Sequence, residues 1–252
     1  MADDAPLPLR TLKLVVEYDG TDFVGWQRQD GQQTIQGCLE KAFHAMTGQN
    51  VLVAGAGRTD AGVHAEAQVA NVAVASRIPA LGFLRGLNTH LPPTIAVLEL
   101  ADVPEGFSAR HDARGKIYRY HVWNHPVRSP RYARHSWHVY DSLDTHAMRE
   151  AARRLLGQHD FRAFRSADCD RKNTVRILRR FDVTRDGSLI SIEVEGTAFL
   201  RNMVRILAGT LVAVGKGKMT PEQVSAVLEA GDRTKAGVTA PACGLTLVRV
   251  IY

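Results

Sequence analysis

Hydrophobic and polar positions alternate along this chain with two periods in turn, and the alternation predicts an α/β protein. Residues 12–18 are apolar at every second position and read as a strand. Ile35, Cys38, Leu39, Ala42, Phe43 and Met46 then form one stripe, which predicts a helix over 34–47 that Gly48 can end. Residues 51–56 and 68–75 read as strands, 79–89 as a helix with Leu81, Leu84 and Leu87 facing inward, and 95–100 as a strand. The first half thus has the order β-α-β-β-α-β. The second half repeats it: a strand over 116–124, a short extra one over 137–140, and a helix over 145–156 closed by Gly157. Strands 175–184 and 189–194 follow as a hairpin about Asp186-Gly187. An apolar helix covers 203–214. Thr220-Pro221-Glu222-Gln223 opens a further helix with a capping box and a proline at its first position, and Gly231 stops it. Residues 245–251 form the closing strand.

Two such units in series predict an α+β fold of duplicated ferredoxin-like or RRM-like β-α-β-β-α-β units. The sheet is expected to be mixed and mainly antiparallel, with an active-site cleft at its centre. The repeat lies in element order and not in residue identity. The expected domains are residues 1–108, carrying the first unit, and 109–252, carrying the second.

Composition narrows the partners. Thirty-two basic residues against twenty-six acidic ones leave a net charge of +6, which favours a polyanion. Nine arginines fall within residues 149–180, and a second group lies within 110–134, as on a surface that neutralises phosphates. Cys38, Cys169 and Cys243 are far apart and form no C-x-x-C, which suggests a reducing, cytoplasmic setting. The first six residues are acidic and hold no apolar signal core. The longest apolar run, 206–214, is broken by Gly209 and Thr210 and is too short for a bilayer, so no membrane is expected.

The candidate chemistry sits in Gly57-Arg58-Thr59-Asp60-Ala61-Gly62-Val63-His64, a glycine-bounded turn between two predicted strands with one carboxylate. Aspartate and glycine make ordinary turns. Arginine and histidine are not needed for a turn, and a carboxylate between cations is ready as a nucleophile or electrostatic stabiliser. Other motifs fail. Gly55-Ala56-Gly57 begins like a dinucleotide fingerprint, but Asp60 takes the sixth position and would repel a pyrophosphate. His64-Ala65-Glu66 matches half of the zinc deaminase signature, and Pro241-Ala242-Cys243 does not complete it. There is no G-x-S-x-G and no Walker A sequence. The residues alone leave Asp60 as either a catalyst or a turn residue.

The same stretch closely resembles the active-site signature of tRNA pseudouridine synthases of the TruA type. The similarity extends over nearly the whole chain. It includes Glu17-Tyr18-Asp19-Gly20 with Gly25-Trp26-Gln27-Arg28, then Leu87-Asn88 with Leu91-Pro92 and Phe107-Ser108-Ala109-Arg110. Lys116-Ile117-Tyr118-Arg119-Tyr120, His159-Asp160-Phe161, the run from Phe199 to Arg205, and Gly244-Leu245 continue it. The resemblance implies isomerisation of uridine to pseudouridine on the 3′ side of the tRNA anticodon stem-loop, by a homodimer, with no cofactor and no metal. It implies that Asp60 is catalytic, that Tyr118 contacts the target base, and that Arg58, Arg205 and Leu245 bind substrate. Thr59, Gly62 and His64 would shape the loop. Tyr120 lies two residues beyond Tyr118 on the same strand face and reads as a sheet residue. Arg205 falls on the apolar helix, where an unpaired guanidinium is costly, and its expected partner is Asp60. The alternative is a non-catalytic RNA-binding protein of two RRM-like units, which leaves the Asp60 turn without a role.

Overall fold

In the computed structural model, which describes residues 7–169 and 171–252, the opening alternation builds the ten-residue strand β1 (Leu9–Tyr18). Leu12, Leu14, Val16 and Tyr18 all point into the core. The acidic segment 1–6 lies outside the described residues. Helix α1 (Ile35–Thr47) starts where the Thr34 hydroxyl accepts the Gly37 amide and stops at Gly48 in the left-handed region, φ 69°. Strands β2 (Ala54–Gly55) and β3 (His64–Ala75), helix α2 (Ala80–His90) and strand β4 (Ile95–Val103) complete the first set. The sheet order is β4-β1-β3-β2, with every pairing antiparallel.

Two expectations here need correction. The strand over 51–56 shrinks to two residues, because the Val53 amide turns to the Glu40 carboxylate of α1 at 3.1 Å instead of to a strand. In α2 the inward residues are Phe83 and Leu87, four apart, while Leu81 is 55% exposed. Leu81 is two positions from Phe83, about 200° round the helix, and so lies on the opposite side.

The second set holds β5 (Gly115–Asn124), β6 (Trp137–Val139), α3 (Thr145–Arg153), β7 (Gly157–Asp160), β8 (Val175–Asp186) and β9 (Leu189–Gly196). Helices α4 (Met203–Gly215) and α5 (Pro221–Ala230) and strand β10 (Leu245–Ile251) follow. The order is β10-β5-β9-β8-β7, with β6 lying parallel to β5. Counting only the four long strands, this is again fourth-first-third-second. The duplication inferred from element order is therefore present in strand order as well.

All of α4 except Arg205 and Ala213 is buried, as its largely apolar sequence requires. The Thr220–Gln223 capping box forms as expected. The helix expected to run to residue 156 ends at Arg153, and Gly157, with φ 95°, opens the unexpected strand β7. Gly-Gln-His-Asp has no apolar alternation, and only its pairing with β8 makes it a strand. By contact the chain divides into two compact units, one running to Ala113 and including Tyr252, the other Arg114–Ile251. In the first, the Tyr252 hydroxyl donates to the Ala109 carbonyl at 2.7 Å, and the Lys13 ammonium sits 4.5 Å from the centre of its ring.

Candidate active site

The Asp60 turn belongs to the first unit and leads directly into β3. The Val63 amide bonds back to the Asp60 carbonyl at 3.2 Å, and Gly62 takes φ 76°. The turn is braced from residues 18–26. The Trp26 amide donates to the Thr59 carbonyl at 3.0 Å, and the Gly62 amide to the Phe23 carbonyl at 3.3 Å. Two glycines allow this backbone-on-backbone contact. A Cβ at Gly25 would lie 2.6 Å from the Thr59 oxygen, and one at Gly20 would lie 2.0 Å from the Val63 oxygen. From β3, the Gln68 side-chain amide donates to the Gly57 carbonyl at 2.8 Å. Asp60 is half-buried, Arg58 is exposed, and Thr59 and His64 are buried.

A second brace is a hydroxyl pair. Tyr18 at the end of β1 lies 2.9 Å from the Thr59 hydroxyl. Burial pushes the Tyr18 phenol up to about 12, against the opposing effect of its bonds to Thr59 and Gln68, so it stays a neutral hydroxyl. Removing it in Tyr18→Phe leaves the Thr59 oxygen buried without this partner. We expect urea denaturation to report a loss of about 1–2 kcal/mol.

The His64 ring accepts the Gly20 amide at Nδ1, 3.1 Å away, and the same nitrogen lies 3.1 Å from the Asp19 carboxylate. The tautomer that accepts from Gly20 has no proton at Nδ1 to give to Asp19. His64 thus ties the 19–20 turn to the start of β3.

The remaining candidates lie in the second unit. Tyr118 on β5 is 8% exposed, and its ring meets Phe199 edge-on at 5.1 Å. Tyr120, one pleat further along, is fully buried and donates to the Pro241 carbonyl at 2.8 Å. Leu245 pairs with Tyr120 across β10 and β5, and Leu247 with Tyr118, so all four share one buried face. Arg205 is half-buried on α4. Its Nε donates to the Ala240 carbonyl at 2.8 Å and one terminal nitrogen to Asn202 Oδ1 at 2.9 Å. Asn202 itself sits in the left-handed region, φ 59°. The guanidinium on this nominally apolar helix therefore has partners within its own unit. Burial raises the Cys243 thiol, and the nearby Arg205 charge opposes that rise.

The arginine-rich stretch spends much of its charge internally. Arg153 pairs with Glu150, Arg154 with Glu222, Arg180 with Glu193 and Asp182, and Arg179 with Glu195. Burial alone would raise Glu193, but bonds from Arg180 and Arg119 hold its carboxyl below the usual range. Sequence reasoning assigned no role to Tyr18, Gln68, Trp26 or Phe199. Tyr18 and Trp26 lie in segments noted for their family likeness, yet their braces span 33 or more residues of chain, and no local pattern marks them.

An α+β protein of two β-α-β-β-α-β units, with one carboxylate on a turn braced by backbone, is the class of molecule these observations define. The family model for tRNA pseudouridine synthase matches residues 14–112 and 151–252. The tRNA pseudouridine synthase A of Pelobacter propionicus is 48% identical over 244 residues, covering 97% of this chain and 100% of that protein. The Myxococcus xanthus protein of the same name is 49% identical over 96% of this chain and 91% of its own length. That of Bradyrhizobium diazoefficiens is 47% identical over 95% and 98%. The chain belongs to the tRNA pseudouridine synthase family.

Proposed function

We propose that this protein isomerises uridine to pseudouridine in tRNA, with Asp60 as its catalytic carboxylate. The glycosidic bond from base nitrogen to sugar C1′ breaks, a bond from base C5 to C1′ forms, the C5 proton leaves to solvent, and the freed ring nitrogen takes up a proton. The observation that carries the reading is the Asp60 turn itself, half-buried and fixed by Trp26, Tyr18 and Gln68, in a chain of this family. A turn braced in this way presents its carboxylate to every substrate from the same backbone position. Asp60 acts either by attack on the sugar or the base or by assisting a glycal route.

Tyr118 meets the target base, Arg58 and Arg205 set the surroundings of Asp60 or hold the nucleotide, and Leu245 lines the base. Thr59, Gly62 and His64 keep the turn in shape, which the bonds of Thr59 and His64 support. The target lies on the 3′ side of the anticodon stem-loop. The enzyme works as a homodimer in the cytoplasm and needs no metal or cofactor. Among the described residues no helix is long and apolar enough to cross a membrane. Drawing a base out of its stack costs a few kcal/mol, which phosphate contacts offset.

The test is tritium release from unmodified tRNA labelled at uridine C5. We expect release in proportion to enzyme and time. Tight tRNA binding without release at high enzyme would instead mark an RNA-binding protein of two RRM-like units.

A further inference from the structure

The stretch from His125 to Tyr140 lies outside the residues that the family model matches. It carries three arginines and three histidines and not one carboxylate. Arg128, Arg131 and Arg134 are all exposed. Elsewhere in the second unit, arginines such as Arg153 and Arg180 are matched by nearby acids. With the histidines neutral, the stretch itself carries a charge of +3.

The same stretch walls a surface cavity of about 320 Å³, lined among others by Trp123, Arg128, Ser129, Trp137, His138 and Cys243. That is near the lower bound of about 300–1,000 Å³ for small-molecule sites. The walls are fixed. Trp123 stacks on Tyr132 with centroids 4.8 Å apart and planes at 17°, and its indole nitrogen donates to the Val127 carbonyl at 3.0 Å. His138 bonds the His125 carbonyl at 2.8 Å, and the Ser136 hydroxyl bonds the Tyr132 carbonyl at 2.8 Å. The parallel pairing of β6 with β5 sets Trp137 beside Val122 and His138 beside Trp123. That register turns Trp137 to the face of Val122 and Trp123 to the other. The Trp137 indole, an arginine in the lining and no carboxylate along the stretch suit a flat, apolar ring that carries a phosphate. An acidic peptide would satisfy the arginine but would bring no flat ring to the indole.

We propose that this cavity receives one unpaired nucleotide of the bound tRNA, its base against the Trp137 indole and its phosphate on Arg128. The inference rests on the reading that tRNA is the substrate. It adds a contact that sets affinity without touching the reacting uridine. Every base has a π face, so the subsite tolerates sequence differences among tRNAs.

The experiment uses the full chain and an unmodified tRNA transcript, with binding measured at several salt concentrations and tritium release measured alongside. Arg128→Ala should weaken binding roughly 5- to 10-fold and lower the slope of log affinity against log salt by about one. Trp137→Leu should weaken binding on the order of 10-fold with the salt slope kept. In both, the loss should appear in Kd and KM and not in kcat. Arg153→Ala removes an arginine already matched by Glu150 and is the control, with a smaller change in slope. Arg128 is exposed, so its variant should keep the wild-type melting temperature. Wild-type affinity and slope in Arg128→Ala would overturn the proposal, as would a loss confined to kcat. If the wild-type protein binds tRNA with these dependences but releases no tritium, the synthase reading fails and the subsite stands. If the wild-type protein does not bind the transcript, both fall.

Discussion

Asp60→Asn should lower kcat for uridine isomerisation by at least about 10³-fold, while tRNA affinity stays within about threefold of wild type or tightens. The substitution keeps size and shape and exchanges a carboxylate for an amide. An amide carbonyl is a far poorer nucleophile and brings no negative charge to a developing cation. The turn should survive, because asparagine is as good a turn residue as aspartate. Its braces also run through the Thr59 carbonyl, the Gly62 amide and the Tyr18–Thr59 pair. Binding is spared because one negative charge facing a polyanion is removed. Tritium release and equilibrium binding on one preparation separate the two effects. Activity within tenfold of wild type would falsify the catalytic assignment, and an equal loss of binding would make Asp60 a substrate-holding residue instead.

The second large effect is expected at Gly25. Alanine there faces two penalties together. Its φ of 104° is a conformation that L side chains rarely adopt, and its Cβ would lie 2.6 Å from the Thr59 carbonyl oxygen. Left-handed backbone costs a non-glycine residue about 1–2 kcal/mol. Overpacking against unyielding atoms adds roughly 1–3 kcal/mol. Together Gly25→Ala should lose about 2–5 kcal/mol, or roughly 4–20 °C in Tm for a chain of this size. Gly31 is the internal comparison, with φ 70° and open space, nothing within 4 Å of where its Cβ would lie. Gly31→Ala should show the conformational penalty alone, and the difference between the two melts isolates the contact. Gly25→Ala should also lower kcat in whatever protein remains folded, since relief of the clash displaces the carbonyl next to Asp60. An equal Tm loss for the two variants would mean that the Gly25–Thr59 contact yields freely.

What could be read from the sequence was what the chain decides locally. Thr34 and Gly48 bound α1, and Thr220 with Gln223 open α5, because a helix end is satisfied by residues within a turn of it. The Asp60 turn was legible as a candidate for the same reason: its glycines and charged residues lie in eight consecutive positions. Features that depend on distant partners were not legible. Residues 51–56 look like a strand until Glu40, thirteen positions back, takes the Val53 amide. Strand β7 exists only through β8. Tyr18 reads as one more core residue of β1, yet its hydroxyl reaches Thr59, 41 positions on. For Arg205 the sequence showed that a partner was needed, but Ala240 and Asn202 became evident only from the fold around α4.

Tyr252 has a consequence for the order of assembly. It closes over Lys13 and Phe107 and bonds to Ala109, so its packing belongs to the first unit although all of the second, Arg114–Ile251, is made before it. On a ribosome, β1 to β4 emerge and can pair early. The spot on their sheet at Lys13, beside Phe107, lacks its Tyr252 cover until residue 252 arrives. The half of the protein that is translated first is therefore the half that is finished last.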